Sequence, residues 1–366
     1  MIQSLKLSNF RNFKSKHLEF SDKITVISGP NATGKTNILE SLYLLSTGRS
    51  FKARVDSESI KYEEKLARIN GVLSLDSPES THEGTPASGL PVSRHPSGLE
   101  VVITTGDNGW PKKKLLVNGV PKRLIDFAGN FKTVLFGPWD MDLVTASPSL
   151  RRKFLDGVLC QVDREYRRSV LSYEKGVRQR NRLLFRIREG ASGPEGLRPG
   201  GGFNRSQLLF WNQLLIKNGN YITDKREEFI QFVNNTKNYQ LEYDKSVISE
   251  GRLEQYKDEE VAAATTLVGP HRDDFIFFKD NKRELAAYGS RGEQRMGVLW
   301  LKMAELSYIE EKTGDKPTLL LDDIFSELDR EHRSVVVKLM DSQQTIMTTA
   351  DEDFIDSFKP SSTIKL

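Results

Sequence analysis

The sequence predicts an α/β fold: a head of short strands and helices, interrupted by an inserted arm of two long helices. Three observations carry this. A short apolar run, Ile24 to Ile27, leads through a glycine-bounded loop into a stretch with Ile38, Leu39, Leu42 and Leu45 at helical spacing. Far downstream, Thr318 to Leu321 forms a continuous aliphatic run, the pattern of a parallel strand buried on both faces. Between them lie two long stretches of helical period separated by a Gly/Pro cluster.

Taken in order, residues 1 to about 75 alternate short strands with the loop-bearing helix. Asp76 to Gly98 is rich in Ser, Pro and Gly and reads as a surface loop. Strands resume at Leu99–Thr105 and Leu115–Val117, and from Pro148 the pattern turns helical. Val162, Tyr166, Val170, Tyr173, Val177, Leu184 and Ile187 make one apolar stripe. Leu208, Trp211, Leu215, Ile222, Phe229 and Val233 make another, with Ala191 to Asn204 as the turn between them. Such a pair forms a hairpin projecting as an arm. Strand-like Phe275–Phe278 is expected to return the chain to the head. The expected division is a head of residues 1–150 and 262–366 with an arm of 151–261.

The chemistry follows from residue types. Gly29, Pro30, Asn31, Ala32, Thr33, Gly34, Lys35 and Thr36 stand between a strand and a helix start, the context of a phosphate-binding loop. Glycines let backbone N–H groups turn inward around phosphates, and the helix N-terminus adds its positive dipole end. Lys35 is placed to reach the β/γ oxygens and Thr36 to put its hydroxyl on Mg²⁺. The chain is therefore expected to bind a nucleoside triphosphate. The aliphatic run at Thr318–Leu321 ends in Asp322 and Asp323, at the carboxyl end of a strand, where α/β sheets place ligand-binding groups. Asp322 suits Mg²⁺, directly or through water, and Asp323 suits orienting or deprotonating an attacking water. Ser290, Gly292 and Glu293 open a further helix and form a second anion site. With one phosphate loop in the chain, a natural target for that site is the γ-phosphate on a partner subunit.

In combination these segments resemble the ABC-type ATPase heads of the SMC family and, within it, the RecF family of bacterial recombination mediators. The resemblance runs from end to end. Leu5–Phe13 looks like the family's first strand. Thr47–Phe51, Thr133–Pro138, Asp142–Val144, Arg151–Asp156, Gly269–Asp274 and Leu321–Asp329 are similar to further family signatures. Pro30, Ala32 and Thr33 vary the loop, and Arg291 and Met296 vary the signature helix. Thr348-Thr349 stands where many ABC ATPases carry His. The resemblance implies an ABC/SMC-type P-loop ATPase head that uses ATP and Mg²⁺ and dimerises with ATP sandwiched between subunits. Lys35 and Asp323 would be its catalytic residues, and Asp329 would end the dimer-facing loop. It also implies a weak, DNA-stimulated ATPase used as a binding switch. Double- and single-stranded DNA and gap junctions would be its targets, with RecR, RecO and RecA as partners in recombinase loading and the SOS response.

Composition agrees with this reading without requiring it. Charged residues make up 28% and the pI is about 8.9, a mild basic excess suited to an anionic partner. A single cysteine, Cys160, excludes an intramolecular disulfide framework. No signal-peptide pattern and no apolar run approaching 18 residues is present, so a cytoplasmic location is expected. Between Arg151 and Arg188 there are twelve Lys/Arg against four Asp/Glu. Arg164, Arg168, Lys175, Arg182 and Arg186 recur on a face away from the apolar stripe and make a candidate DNA surface, without sequence readout. Two rivals share the phosphate loop. An SMC or nuclease-associated ATPase needs a long heptad coiled coil, which the arm is too short to supply. A P-loop phosphotransferase has no use for the Ser290 segment or a basic arm.

Overall fold

The computed structural model describes residues 1–74, 97–106, 111–191, 201–235, 239–280, 283–326, 330–351 and 360–366. The chain forms two compact units, Met1–Asp140 with Glu305–Leu366, and Met141–Ala304.

The first unit contains two sheets. Strands β1 (Ile2–Phe10), β2 (Phe13–Glu19), β4 (Leu66–Leu73), β5 (Ser97–Thr105), β6 (Pro111–Val117) and β7 (Val120–Lys122) pair antiparallel in the order β2-β1-β4-β5-β6-β7. Period-two patterning builds this sheet: on β4, Ala67, Ile69, Gly71 and Leu73 are buried and alternate with more exposed positions. Strands β3 (Ile24–Ser28), β8 (Thr133–Phe136), β12 (Thr318–Asp322), β13 (Thr345–Thr349) and β14 (Ser362–Lys365) pair parallel in the order β14-β3-β13-β12-β8. Every residue of β3, β8, β12 and β13 is buried, which is why β12 carries the unbroken aliphatic run Leu319–Leu321.

Helix α1 (Lys35–Thr47) packs against both sheets. Its Ile38, Leu42 and Leu45 share one core with Leu5, Ile69 and Val101 of the antiparallel sheet and Ile27, Leu320 and Ile346 of the parallel sheet. A helix enclosed in this way buries nearly its whole circumference, polar Glu40, Ser41 and Ser46 included. It ends at Gly48, whose φ of 68° is the left-handed cap and whose N–H bonds Leu44 O. The buried side chain of Gln344 clips the sheets together. It bonds both backbone groups of Ile2 (2.9 and 2.7 Å), the carbonyl of Ser21 and the hydroxyl of Thr318. Short α2 (Leu124–Phe127) and α11 (Arg330–Met340) also belong to this unit.

The second unit opens with α3 (Asp142–Thr145) and α4 (Pro148–Val162), followed by the long helices α5 (Arg164–Ala191) and α6 (Gly201–Asn234). These last two run antiparallel: Arg180 bonds Asn212, and Tyr166, nearer the start of α5, meets Arg226. Close approach is secured by Gly176, where a Cβ would lie 2.8 Å from Leu214. Next come β9 (Tyr239–Asp244), α7 (Glu250–Gln255), α8 (Lys257–Ala263), β10 (Asp274–Lys279), β11 (Arg283–Glu284), α9 (Leu285–Tyr288) and the start of α10 (Arg291–Thr313).

Three features differ from the sequence expectation. The strand expected at Phe275–Phe278 forms, but it pairs with β9 and β11 in a separate three-stranded sheet instead of rejoining the head. Local antiparallel partners were available, and alternation alone does not say which edge a strand joins. The compact units divide at Asp140/Met141 and Ala304/Glu305. Helix α6 starts at Gly201, inside the expected turn, and β5 starts at Ser97, inside the expected loop. The rest of that turn and loop, 192–200 and 76–96, lies outside the described residues.

A buried polar network ties the second unit together. Arg226 on α6 donates to Tyr166 of α5, Asp156 of α4, and Pro270 O and Asp273 in the Gly269–Asp274 segment. Asp273 also accepts from Tyr243 of β9 and from the Ser246 N–H, and Asp274 is held bidentately by Arg151. Two segments that resemble family signatures, Arg151–Asp156 and Gly269–Asp274, thus meet as one internal ion cluster. His271 belongs to the same segment. Its Nε2 lies 3.0 Å from the Thr266 carbonyl, which only accepts, so Nε2 carries the proton and Nδ1 accepts from the Tyr173 hydroxyl at 2.8 Å. Burial lowers the His271 pKa to about 4.

Candidate nucleotide site and arm surface

Strand β3 delivers the chain into the phosphate loop, and Gly34 ends it as the N-cap of α1. Gly34 has φ 107°, and a Cβ there would lie 2.6 Å from Asn12 and 2.7 Å from Phe13, so only glycine fits. Ala32 also takes a positive φ of 68°, a strained conformation for a residue with a Cβ. Inside the loop Thr33 Oγ1 donates to Pro30 O (2.9 Å). Lys35, largely buried, lays its ammonium on the carbonyls of Gly29 (2.6 Å) and Pro30 (3.0 Å). The loop therefore holds its cation at its own mouth.

The order β3-β13-β12 sets the end of β12 across one strand from the loop. Thr36 Oγ1 donates to Asp322 Oδ2 at 2.8 Å, bridging the two motifs. Two hard oxygen donors in contact at the mouth of a phosphate loop fit Mg²⁺, which takes few protein ligands and shares the rest with phosphate and water. The β13 residue Thr348 donates to Asp322 Oδ1 at 2.6 Å. Asp323 follows with φ 49°, and its N–H bonds both the carbonyl and the hydroxyl oxygen of Thr348 at 3.2 Å. Backbone held off the favoured regions is common where a side chain must be aimed.

Helix α10 opens with a capping box. Ser290 Oγ accepts the N–H of Glu293 (3.3 Å) and Glu293 Oε2 accepts the N–H of Ser290 (2.8 Å). Lys279 and Arg283 both pair with the other Glu293 oxygen. The Ser290 N–H and these cations lower the Glu293 pKa to about 2. Its carboxylate is thus engaged in shaping the helix start. Ser290, Arg291 and Gly292 are exposed, and above Gly292 an added Cβ would meet only Ser290 Oγ, at 4.0 Å. Asp329 lies outside the described residues.

On α5, Arg164, Arg168, Lys175, Arg182 and Arg186 are all exposed. The charge count of that region nevertheless overstates its surface. Arg151 and Arg180 are buried in ion pairs with Asp274 and Glu260, while Arg152 and Arg167 bond backbone carbonyls. Toward the hairpin tip Arg178, Arg182 and Arg186 line a groove of about 510 Å³ with Phe185, which is 50% exposed. Among the described residues no helix is long and apolar enough to cross a membrane.

Residues 1–365 match the family described as RecF/RecN/SMC N terminal domain. A DNA replication and repair protein RecF from Lachnoclostridium phytofermentans is 33% identical, over 98% of this chain and 95% of that protein. One from Halalkalibacterium halodurans is 34% identical, over 97% and 94%. The chain belongs to the RecF family. Its fold agrees: a solved structure of the recombination mediator protein RecF with ATPγS in the RecFOR pathway superposes with a TM-score of 0.82. That structure is 29% identical and covers 100% of this chain and 96% of its own.

Several residues at this RecF-family site escaped sequence reading. Asn12, in the β1–β2 turn, donates to Thr33 O (2.8 Å) and accepts from Asn37 (2.9 Å), buttressing the loop. Buried Glu40 on α1 takes a bidentate Arg11 and the Ser50 hydroxyl. Phe51 then stacks on Trp139 at 4.9 Å, so the Thr47–Phe51 segment joins the one after β8. An Asn-Phe-Arg-Asn-Phe turn gives no sign of such partners. A Glu between the apolar positions Ile38, Leu39 and Leu42 of α1 was the available signal, since a buried carboxylate needs a cation.

Proposed function

We propose that this RecF-family chain is an ATP-dependent DNA-binding protein of recombinational repair and replication restart. ATP binds at Gly29–Thr36 and drives homodimerisation, and the DNA-bound dimer promotes recombinase loading. The Thr36–Asp322 hydrogen bond carries the nucleotide half of this reading, because it brings hydroxyl and carboxylate together from opposite ends of the chain beside the loop lysine. Lys35 exchanges the carbonyls of Gly29 and Pro30 for phosphate oxygens. Thr36 and Asp322 would hold Mg²⁺, which would supply charge neutralisation at the phosphates. Asp323 orients the attacking water as general base. The Ser290 hydroxyl and the Gly292 N–H stand at an open helix start for the γ-phosphate of the partner subunit's ATP. The relatives named for DNA replication and repair, and the relative solved with ATPγS in the RecFOR pathway, support this reading.

DNA is held by its phosphates along the exposed basic face of α5, without base readout. RecO, RecR and RecA enter as partners through the family resemblance. Hydrolysis is slow and serves as a switch: an aspartate at position 323 reaches less far than the glutamate that many ABC ATPases use. A phosphotransferase is the weaker reading, because it leaves the Ser290 capping box and the basic arm without a task. Equilibrium binding of a fluorescent ATP analogue to Lys35→Met tests the nucleotide site. Loss of charge-assisted bonds of about 1.5–3 kcal/mol each should weaken binding at least tenfold. Near-native affinity would overturn the assignment.

A further inference from the structure

We infer that Thr348 is the positioning residue of the Mg²⁺ site, setting Asp322 and Asp323 together through one hydroxyl. The inference rests on the proposed metal role of Thr36 and Asp322 and adds a residue outside both motifs. Thr348 is 1% exposed at the end of β13, the strand between β3 and β12. Its single hydroxyl hydrogen goes to Asp322 Oδ1 at 2.6 Å, the shortest bond to that carboxylate. The same oxygen accepts the Asp323 N–H at 3.2 Å, beside the backbone bond from that N–H to Thr348 O. Both capacities of the hydroxyl are thereby used, one on each aspartate.

The two hydroxyls favour different Asp322 oxygens. Thr348 donates to Oδ1 at 2.6 Å, whereas Thr36, the other proposed metal donor, lies nearer Oδ2 (2.8 Å) than Oδ1 (3.1 Å). If the Thr36 hydroxyl oxygen held Mg²⁺, its hydrogen would point away from Asp322, and Thr348 would remain to fix the rotation of the carboxylate. Asp322 is only 5% exposed, so water is poorly placed to substitute. The bond to Asp323 N helps hold that residue at φ 49°, away from the conformation its chain neighbours favour. Outer-shell partners of this kind orient metal-bound carboxylates, and removing one costs 10- to 100-fold in metal affinity. The sequence shows only a Thr-Thr pair ending a buried strand.

The test is a Mg²⁺ titration of fluorescent-ATP binding by wild type, Thr348→Val, Thr348→Ser and Asp322→Asn, each checked for folding by circular dichroism. Thr348→Val keeps shape and loses the hydroxyl. It should raise the Mg²⁺ concentration for half-maximal enhancement by about 10- to 100-fold, while affinity measured in EDTA stays within twofold. Thr348→Ser should restore the wild-type midpoint to within about threefold. An unchanged midpoint in Thr348→Val, with Asp322→Asn shifted, overturns the role of Thr348 alone. Equal losses in Ser and Val, or an equal loss in EDTA, also overturn it, since β-strand packing would then be the cause. If Asp322→Asn itself leaves the Mg²⁺ dependence intact, the underlying metal assignment fails.

Discussion

At the scale of single residues, the proposed nucleotide site joins a strained backbone to one hydroxyl-held carboxylate, that of Asp322. Gly34 is dictated by contact with Asn12 and Phe13, whereas Ala32 and Asp323 accept positive φ despite their side chains. Such conformations persist when surrounding bonds over-determine them, as the two Thr348 bonds do for the Asp323 N–H. This separates the tasks of the paired aspartates. Asp322 is buried and bonded to Thr36 and Thr348, while Asp323 is less buried and its proposed task is the water. Asp323→Asn should preserve ATP and Mg²⁺ binding and slow turnover by about 100-fold or more, the usual loss of a general base. Single-turnover hydrolysis at saturating Mg²⁺ checks this, and an unaltered rate would remove Asp323 from the chemistry.

At the scale of elements, α5 carries two different populations of arginine on one helix. Arg180 is fully engaged by Glu260, Thr266 and Asn212, whereas Arg164, Arg168, Arg182 and Arg186 face solvent. Reversing Arg164, Arg168 and Arg182 to Glu should weaken binding to duplex and single-stranded DNA. It should also lower the slope of log affinity against log salt by about 2–3, because each phosphate contact contributes about 0.7–0.9. Affinities at 50, 100 and 200 mM salt give the slope. An unchanged slope means that α5 presents only a solvated face. ATP binding should persist in this variant.

The turn that His271 packs against α5 adds a pH dependence. In the folded chain His271 stays neutral, with its pKa lowered to about 4 from 6.5 by burial. Between those values the unfolded chain binds the extra proton, so stability rises with pH. Its contribution is therefore full above about pH 6.5 and lost as pH falls toward 4. Protonation would put a second N–H on Nδ1 against the Tyr173 hydroxyl. Urea midpoints at pH 7 and 4.5 should differ less in His271→Gln than in the wild type. Equal differences would show that other groups set the acid sensitivity.

At the scale of the whole molecule, the proposed ATP cycle needs a second copy of the chain. The Ser290 capping box leaves Gly292 facing open space, while Glu293 is occupied by Lys279, Arg283 and the Ser290 N–H. Ser290→Arg would set a bulky cation where a partner's γ-phosphate docks and would remove the hydroxyl cap. ATP binding should survive as a monomeric event, and dimerisation should be lost. Asp323→Asn should do the reverse and accumulate ATP-bound dimers. Sedimentation velocity with ATP, ADP and no nucleotide separates the two. A Ser290→Arg protein that still dimerises with ATP would show that the shared site is not built from α10.

The phosphate loop, the aspartate pair after Leu321, the arm helices and the capped start of α10 were legible in the sequence. Each is a contiguous string whose spacing alone specifies strand, loop or helix. Family signatures further along the chain were visible too, but not what they do: Gly269–Asp274 and Arg151–Asp156 meet on Arg226 as an internal charge cluster. Only the tertiary structure decided that Thr348 stands between the aspartates, that Asn12 supports the loop and that Arg180 is buried while Arg182 is not. It also placed β10 in a sheet of its own with β9 and β11. Those facts depend on strand order and on which side of a helix meets its neighbour. Both are set by the packing of segments distant in sequence, and local periodicity carries no record of that choice.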